Sequence, residues 1–250
     1  MNRLSQSVEI IQNTDHLIAL TGAGISKESN VPTFRGKDGL WRQYNAMDLA
    51  TPQAFKQNPT LVWDWYSWRQ NLISKCHPNP AHLTLAKWEE QGILKAIITQ
   101  NVDGLHRTAG STNILEVHGN IWMIKCTKCT HKSQLSSPVT SIPHCPECGA
   151  QLRPDVVWFG ESLPQQVMGQ VLKEIELADT IIVIGTSALV QPSASFPLLV
   201  KQKGGYVIEV NIEATSLTPI ANVHLQGKAG VLLPKIDQLL KIENQIPDTS

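Results

Sequence analysis

The sequence predicts an α/β fold, an open parallel sheet of Rossmann type, with a smaller domain made of a helical insertion and a four-cysteine zinc module. Three observations carry this expectation. Short apolar, β-branched runs alternate with helical stretches along most of the 250 residues. Glycine-rich or polar clusters follow several of those runs directly, as ligand loops follow the strands of an open α/β sheet. Two Cys-x-x-Cys pairs, Cys126/Cys129 and Cys145/Cys148, lie 15 residues apart, inside the window for a zinc site.

The predicted strands are His16–Leu20, Leu94–Thr99, Ile114–Val117, Thr180–Ile184, Tyr206–Val210 and a weaker Asn222–Leu225. Several are almost continuously apolar, as strands covered on both faces must be. Gln165–Ala178 has helical spacing, with Val167, Val171, Ile175 and Ala178 near one face, and Val231–Ile242 reads as a closing helix. Lys37–His82, with Trp41, Trp63, Trp65 and Trp68, interrupts the alternation as a helical insertion. The cysteine-bearing stretch interrupts it again. The expected organisation is a Rossmann-type domain from 1–36, 83–120 and 160–250, with 37–82 and 121–159 forming the smaller domain.

Composition narrows the function. Hydrophobic residues are 42% and charged residues 17%, and 21 basic residues balance 21 acidic ones. That balance argues against binding nucleic acid or anionic lipid through bulk charge. No apolar run approaches the roughly 18 residues of a membrane span. The opening MNRLSQSVEIIQ lacks a signal-peptide core, and four of five cysteines are paired as metal ligands rather than as a disulfide framework, so a cytoplasmic protein is expected.

Gly22-Ala23-Gly24-Ile25-Ser26 follows the first strand, where glycines let backbone approach a pyrophosphate. The usual third glycine is replaced by Lys27, so a tight strand-to-helix turn is the competing reading. Gln100-Asn101-Val102-Asp103 follows the second strand and offers hydrogen bonds to a ribose or carboxamide, or simply an Asx-turn. His118, before Gly119, is the group in this set whose ordinary pKa near 6.5 suits a general base. Gly185-Thr186-Ser187 and Asn211-Ile212-Glu213 follow later strands and fit an adenosine-binding rim, or helix caps. A closed shell of four thiolates has no open position, so a zinc ion there is expected to be structural. Cys76 stands outside that set as a free thiol.

Together these blocks resemble the sirtuins, NAD-dependent protein lysine deacylases. The resemblance rests on GAGISKESNVPTFRG (22–36), TQNVDGLH (99–106), VHG (117–119), the four cysteines, RPDVVWFGE (153–161), GTS (185–187) and NIE (211–213), in the family's order. It implies that NAD is consumed as a co-substrate: the acyl group passes to ADP-ribose, nicotinamide is released, and His118 is the general base. Gly22, Ala23, Gly24 and Ser26 would line the pyrophosphate, with Phe34 and Arg35 in a mobile cofactor loop. Gln100, Asn101 and Asp103 would meet the nicotinamide ribose and carboxamide. Gly185, Thr186, Ser187, Asn211, Glu213 and Ala229 would hold the adenosine. Val157, Phe159 and Gly160 lie in a stretch that looks like the strand edge pairing with an extended substrate peptide. One structural zinc per chain is implied.

Tyr66 and Arg69, at i and i+3 on one predicted helix face, resemble the Tyr-x-x-Arg pair of bacterial-type members acting on malonyl- and succinyl-lysine. Gly39-Leu40-Trp41 suits the same subgroup, while Ala46 and Met47 are left unplaced on the same pocket wall. The expectation is a monomeric deacylase removing succinyl, malonyl and acetyl groups, its partners being acylated lysines of protein substrates, with no membrane or direct nucleic-acid contact. Mono-ADP-ribosyl transfer in the same cleft, or deacetylation without preference for charged acyl groups, are the alternatives.

Overall fold

The structure is a computed structural model that describes residues 2–34 and 39–243. The chain opens with α1 (Arg3–Gln12), β1 (Leu17–Thr21) and the short α2 (Ala23–Lys27). An excursion through α3 (Ala46–Leu49), α4 (Pro52–Gln57) and α5 (Pro59–Ile73) follows, then α6 (Pro80–Glu90), β2 (Leu94–Thr99), α7 (Leu105–Thr108) and β3 (Ile114–Glu116). Next come β4 (Gly119–Cys126), β5 (Lys132–Gln134) and β6 (Leu152–Val156). The chain closes through α8 (Gln165–Leu177), β7 (Thr180–Ile184), α9 (Phe196–Gln202), β8 (Tyr206–Asn211), β9 (Val223–Gln226) and α10 (Ala229–Glu243).

The larger sheet has the order β3-β2-β1-β7-β8-β9, and every pairing is parallel. This is the doubly wound Rossmann order, with the chain reversing direction of travel between β1 and β7. The apolar runs explain the centre of the sheet, for every residue of β1 and β7 is buried. One face packs on α1, α6 and α10 through Val8, Leu85, Trp88, Leu233 and Ile236. The other packs on α8 and α9 through Val171, Ile175, Phe196 and Val200. Of the residues expected on the inner face of α8, Val171, Ile175 and Ala178 are buried and Val167 is partly so. Each predicted strand exists with ends within a residue, and the closing helix begins two residues early, at Ala229.

The smaller part has its own antiparallel sheet, β5-β4-β6. Its core joins insertion residues such as Phe55, Val62, Trp63 and Trp65 to Ile121, Ile124 and Leu152 of the cysteine-bearing stretch. Proline and capping residues delimit the inserted helices. Thr51 and Asn58 accept from Ala54 N and Leu61 N, with Pro52 and Pro59 at the first helical positions. Along α5 the buried residues Val62, Trp65, Tyr66, Arg69 and Ile73 recur at helical spacing, while Trp68 faces outward. No helix among the described residues is long and apolar enough to cross a membrane.

Candidate active site

The sheet's strands are parallel, so their C-terminal ends share one edge, and the polar blocks after them converge on a cleft of about 1100 Å³. Its lining includes Gly22, Ala23, Gly24, Phe34, Gln100, Asn101, His118, Gly185, Thr186, Ser187, Asn211, Glu213 and Ala229. Tyr66, Arg69, Val157, Phe159 and Gly160 also line it. Arg35 lies outside the described residues. Ala46 and Met47 are absent from the lining, and Met47 is exposed.

The glycines at the β1–β7 crossover have a second reason to be glycine, besides any ligand. Gly24 N donates to Gly185 O at 2.7 Å, so the two loops touch backbone to backbone. A Cβ on Gly24 would sit 2.6 Å from that oxygen, and one on Gly22 would sit 2.8 Å from it. Gly185 also has φ +61, which favours glycine.

Ser26 and Asp103 are buried and do not line the cleft; they form its support. The Asn79 N–H donates to His82 Nδ1, so His82 carries its proton on Nε2, 3.4 Å from Ser26 Oγ. Asn101 Nδ2 donates to Gly22 O at 3.1 Å and to Ser26 Oγ at 3.2 Å. A carbonyl can only accept, so this fixes the amide's orientation and leaves the Asn101 side-chain oxygen for a ligand. The Ser26 hydroxyl in turn bonds to Asp103, whose carboxyl burial pushes up in pKa and hydrogen bonds from Leu105 N–H and Ser26 pull back down. Desolvation lowers the His82 pKa to about 4, so the ring is neutral.

His118 Nδ1 lies 3.1 Å from the Gln100 carbonyl oxygen. The carbonyl requires a proton on Nδ1, which leaves Nε2 as the basic nitrogen. Burial lowers the His118 pKa, with the Gln100 bond opposing, so the neutral base form dominates at pH 7. Gly119 follows at φ +78, where a Cβ would meet Asp155 O at 2.0 Å. The His-Gly pair thus lets β6 pass close behind the histidine, and Val157 N bonds to His118 O at 2.9 Å.

Of the stretch expected to offer a strand edge to a peptide, Val157 and Trp158 lie past the end of β6 in neither strand nor turn, and only Phe159 and Gly160 turn. β6 ends at Val156, and Phe159 and Gly160 form the turn, Gly160 with φ +86. The cause is Arg153, whose guanidinium bonds bidentately to Glu161 at 2.6 and 2.9 Å and to Val156 O. Glu161 also accepts from Trp158 N, closing the loop on itself.

Tyr66 and Arg69 share one face of α5, as their spacing predicts. The Arg69 guanidinium stacks 4.6 Å from the Phe34 ring and 4.8 Å from the Trp65 ring. Burial lowers its pKa to about 10, so it is still a cation at neutral pH. The Asp103 carboxylate opposes that fall from a distance, but among the described residues none forms an ion pair with the guanidinium and no acceptor takes its N–H groups. Tyr66 is buried, and its hydroxyl accepts from Trp158 Nε1 at 2.9 Å.

Trp41, Trp158 and Leu189–Gln191 also line the cleft and were not singled out as site residues from sequence. Leu189 is 64% exposed and Phe159 46%, two large apolar groups left open on the cleft. Sequence signals existed for Trp158, inside the RPDVVWFGE block, and for Trp41, in Gly39-Leu40-Trp41, but not for Leu189–Gln191.

The four cysteine Sγ atoms lie within 4.8 Å of one another, with Cys126–Cys148 and Cys129–Cys145 both at 3.5 Å. Disulfides are excluded at those distances. A zinc–sulfur distance of about 2.3 Å requires tetrahedral edges of about 3.8 Å, so the donor set and spacing fit zinc. Lys128 N and Cys129 N both donate to Cys126 Sγ, which holds that sulfur in place as an acceptor.

Comparison with known proteins places these features in one group. A profile described as the Sir2 family matches residues 22–192. An NAD-dependent protein deacylase of Pyrococcus furiosus is 51% identical over 240 residues, covering 93% of this chain and 96% of that protein. NAD-dependent protein deacylase 1 of Caldanaerobacter subterraneus subsp. tengcongensis is 51% identical, with 92% and 96% covered. Among solved structures, a mutant Sir2 homologue in complex with ADP-ribose superposes with a TM-score of 0.94 at 47% identity, over 99% of this chain and 100% of that one. A Sir2 homologue–NAD complex gives 0.91 at 48% identity, over 96% and 94%. A Sir2 protein bound to a myristoylated histone peptide gives 0.80 at 34% identity, over 97% and 98%.

Proposed function

The chain belongs to the Sir2 family and is an NAD-dependent protein deacylase; within that activity, we propose that it removes succinyl and malonyl groups from lysine as well as acetyl. The observation that carries this is the Tyr66–Arg69 pair on the cleft wall, a buried cation that no carboxylate among the described residues meets within ion-pair distance, Asp103 acting on it only from further away. A desolvated guanidinium costs free energy unless an anion answers it. An acyl chain ending in a carboxylate supplies one, gripped by Arg69 and hydrogen-bonded by the phenol. An acetyl group needs only the aromatic walls around it.

On this reading Gly22, Ala23 and Gly24 meet the pyrophosphate, with Ser26 supporting them from below. Gly185, Thr186, Ser187, Asn211, Glu213 and Ala229 meet the adenosine, and Gln100 and Asn101 the nicotinamide ribose. His118 accepts a ribose hydroxyl proton at Nε2 as the acyl group passes to that hydroxyl, one water is consumed in freeing the lysine amine, and acyl-ADP-ribose, nicotinamide and free lysine leave. The acylated lysine of a protein substrate enters past Val157, Phe159 and Gly160. Cys126, Cys129, Cys145 and Cys148 hold one zinc ion, whose chemistry is structural because four thiolates fill its coordination shell.

The experiment is mass spectrometry of acetyl-, malonyl- and succinyl-lysine peptides incubated with NAD, using the wild type and Arg69→Met. Hydrogen bonds to a charged group are worth roughly 1.5–3 kcal/mol, so Arg69→Met is expected to cost about 10–100-fold in kcat/KM on succinyl-lysine. The acetyl substrate should change far less. Equal losses on both would make Arg69 structural and remove the acyl preference.

A further inference from the structure

Tyr66 is held by a residue that the acyl-pocket pair does not include. We propose that Trp158 is a specificity-positioning residue, whose indole N–H fixes the Tyr66 hydroxyl so that the phenol donates its proton to a carboxylate in the cleft. This rests on the reading of Tyr66 and Arg69 given above.

An indole N–H can only donate, so the 2.9 Å contact makes the Tyr66 oxygen the acceptor. The phenol's single proton is therefore left over, and among the described residues nothing accepts it. Tyr66 and Trp158 both line the cleft, so a ligand there is the partner that completes the set. A phenol relieved of half its hydrogen-bonding options, and facing an acceptor, is a preset donor rather than a rotor that must be ordered on binding.

The indole itself cannot turn away. The Arg153 guanidinium lies 3.3 Å from its ring centroid, and Phe55 packs against it at 5.4 Å. Its backbone N–H is bonded to Glu161, which Arg153 grips with its two terminal guanidinium nitrogens. Trp158 is 2% exposed and 92 residues from Tyr66 in sequence. The simpler account is that a buried Trp and a buried Tyr satisfy each other, as such groups usually do. That account gives no reason for the acyl group to matter.

The test is steady-state kinetics on succinyl- and acetyl-lysine peptides with Trp158→Phe, Tyr66→Phe, the double variant and Arg69→Met. Trp158→Phe keeps a ring and removes the N–H. It is expected to raise the succinyl KM about three- to tenfold, the size of one hydrogen bond, with a much smaller change on acetyl-lysine. The double variant should lose no more than Tyr66→Phe alone, because both remove the same interaction. Phe55→Leu, at a position outside the cleft lining, loosens the indole without touching the N–H and should give a smaller, equally succinyl-selective rise. It also stands in if Trp158→Phe does not fold. Losses shared by both substrates, no change on succinyl-lysine, or additive losses in the double variant would overturn the proposal. If Arg69→Met is selective while the Trp158 and Phe55 variants are not, only the positioning role falls; if Arg69→Met is unselective, the acyl preference falls with it.

Discussion

Because the Gln100 carbonyl can only accept, His118 has Nε2 as its basic nitrogen, and as the proposed base its titration should set the acid limb of the reaction. Burial holds the His118 pKa below the ordinary value of 6.5, and the proposed mechanism uses the base form. Activity should therefore be full at neutral pH and decline only below about pH 6.5 as the ring gains a proton. His118→Ala is expected to cost roughly 10²–10⁴-fold in kcat, with circular dichroism and metal content unchanged. Near-wild-type turnover, or an acid limb that persists unaltered in the residual activity, would remove His118 as the base. Histidine 118 was legible in the sequence because it stands directly after a strand whose end had to reach the cleft. The reason its tautomer is fixed was not, since the partner is a backbone carbonyl 18 residues earlier.

At the scale of elements, the parallel strands were legible because their runs are apolar on both faces, and the blocks after them inherited a common edge. Ser26 and Asp103 were legible as members of those blocks but not as supports, because Ser26 is met by His82 of α6, which forms a reciprocal cap with Asn79, and Asp103 is held by Leu105 N–H and Ser26. The turn at Phe159 and Gly160 is not legible in the sequence, because nothing local announces the Arg153–Glu161 clamp that folds it back. The cap on α6 has a consequence for acid stability. His82 titrates near 4 in the folded protein and near 6.5 unfolded, so the unfolded chain binds the extra proton between those values. Its contribution to stability is present above about pH 6.5 and is lost as pH falls toward about 4, at roughly 1.4 kcal/mol per pH unit. His106, also pushed well down by burial, adds to the same slope. His82→Gln keeps a side chain able to complete the helix cap but cannot titrate. Denaturant unfolding between pH 4 and 6.5 should then show a shallower dependence, by about one proton, even if stability at pH 7 is somewhat lower. An unchanged slope would mean that His82 is not the group being protonated.

The molecule as a whole joins two cores across one cleft, and they are not equally self-sufficient. The parallel sheet is covered on both faces by helices and owes nothing to the cysteines. The smaller core contains Cys126 and Cys145 beside the insertion helices, and α5 is tied to the cysteine-bearing stretch by Trp63 Nε1 to Leu152 O, Gln70 Nε2 to Ile121 O and Val139 N to Gln70 Oε1. α5 also carries Tyr66 and Arg69, so loss of the proposed zinc should be felt at the end of the cleft proposed for the acyl group, although no cysteine lines it. Metal analysis of the wild type should find one zinc per chain, and Cys145→Ser or a strong chelator should remove it. Because metal binding and folding are one free energy in such modules, the smaller core should loosen while the sheet remains folded. ADP-ribose should then still bind, detected by calorimetry, since its expected contacts at Gly185, Asn211 and Ala229 belong to the sheet edge. Binding of a succinyl-lysine peptide should be lost. If both ligands are lost together in a single cooperative unfolding step, the two cores form one folding unit and the division argued from their packing is wrong.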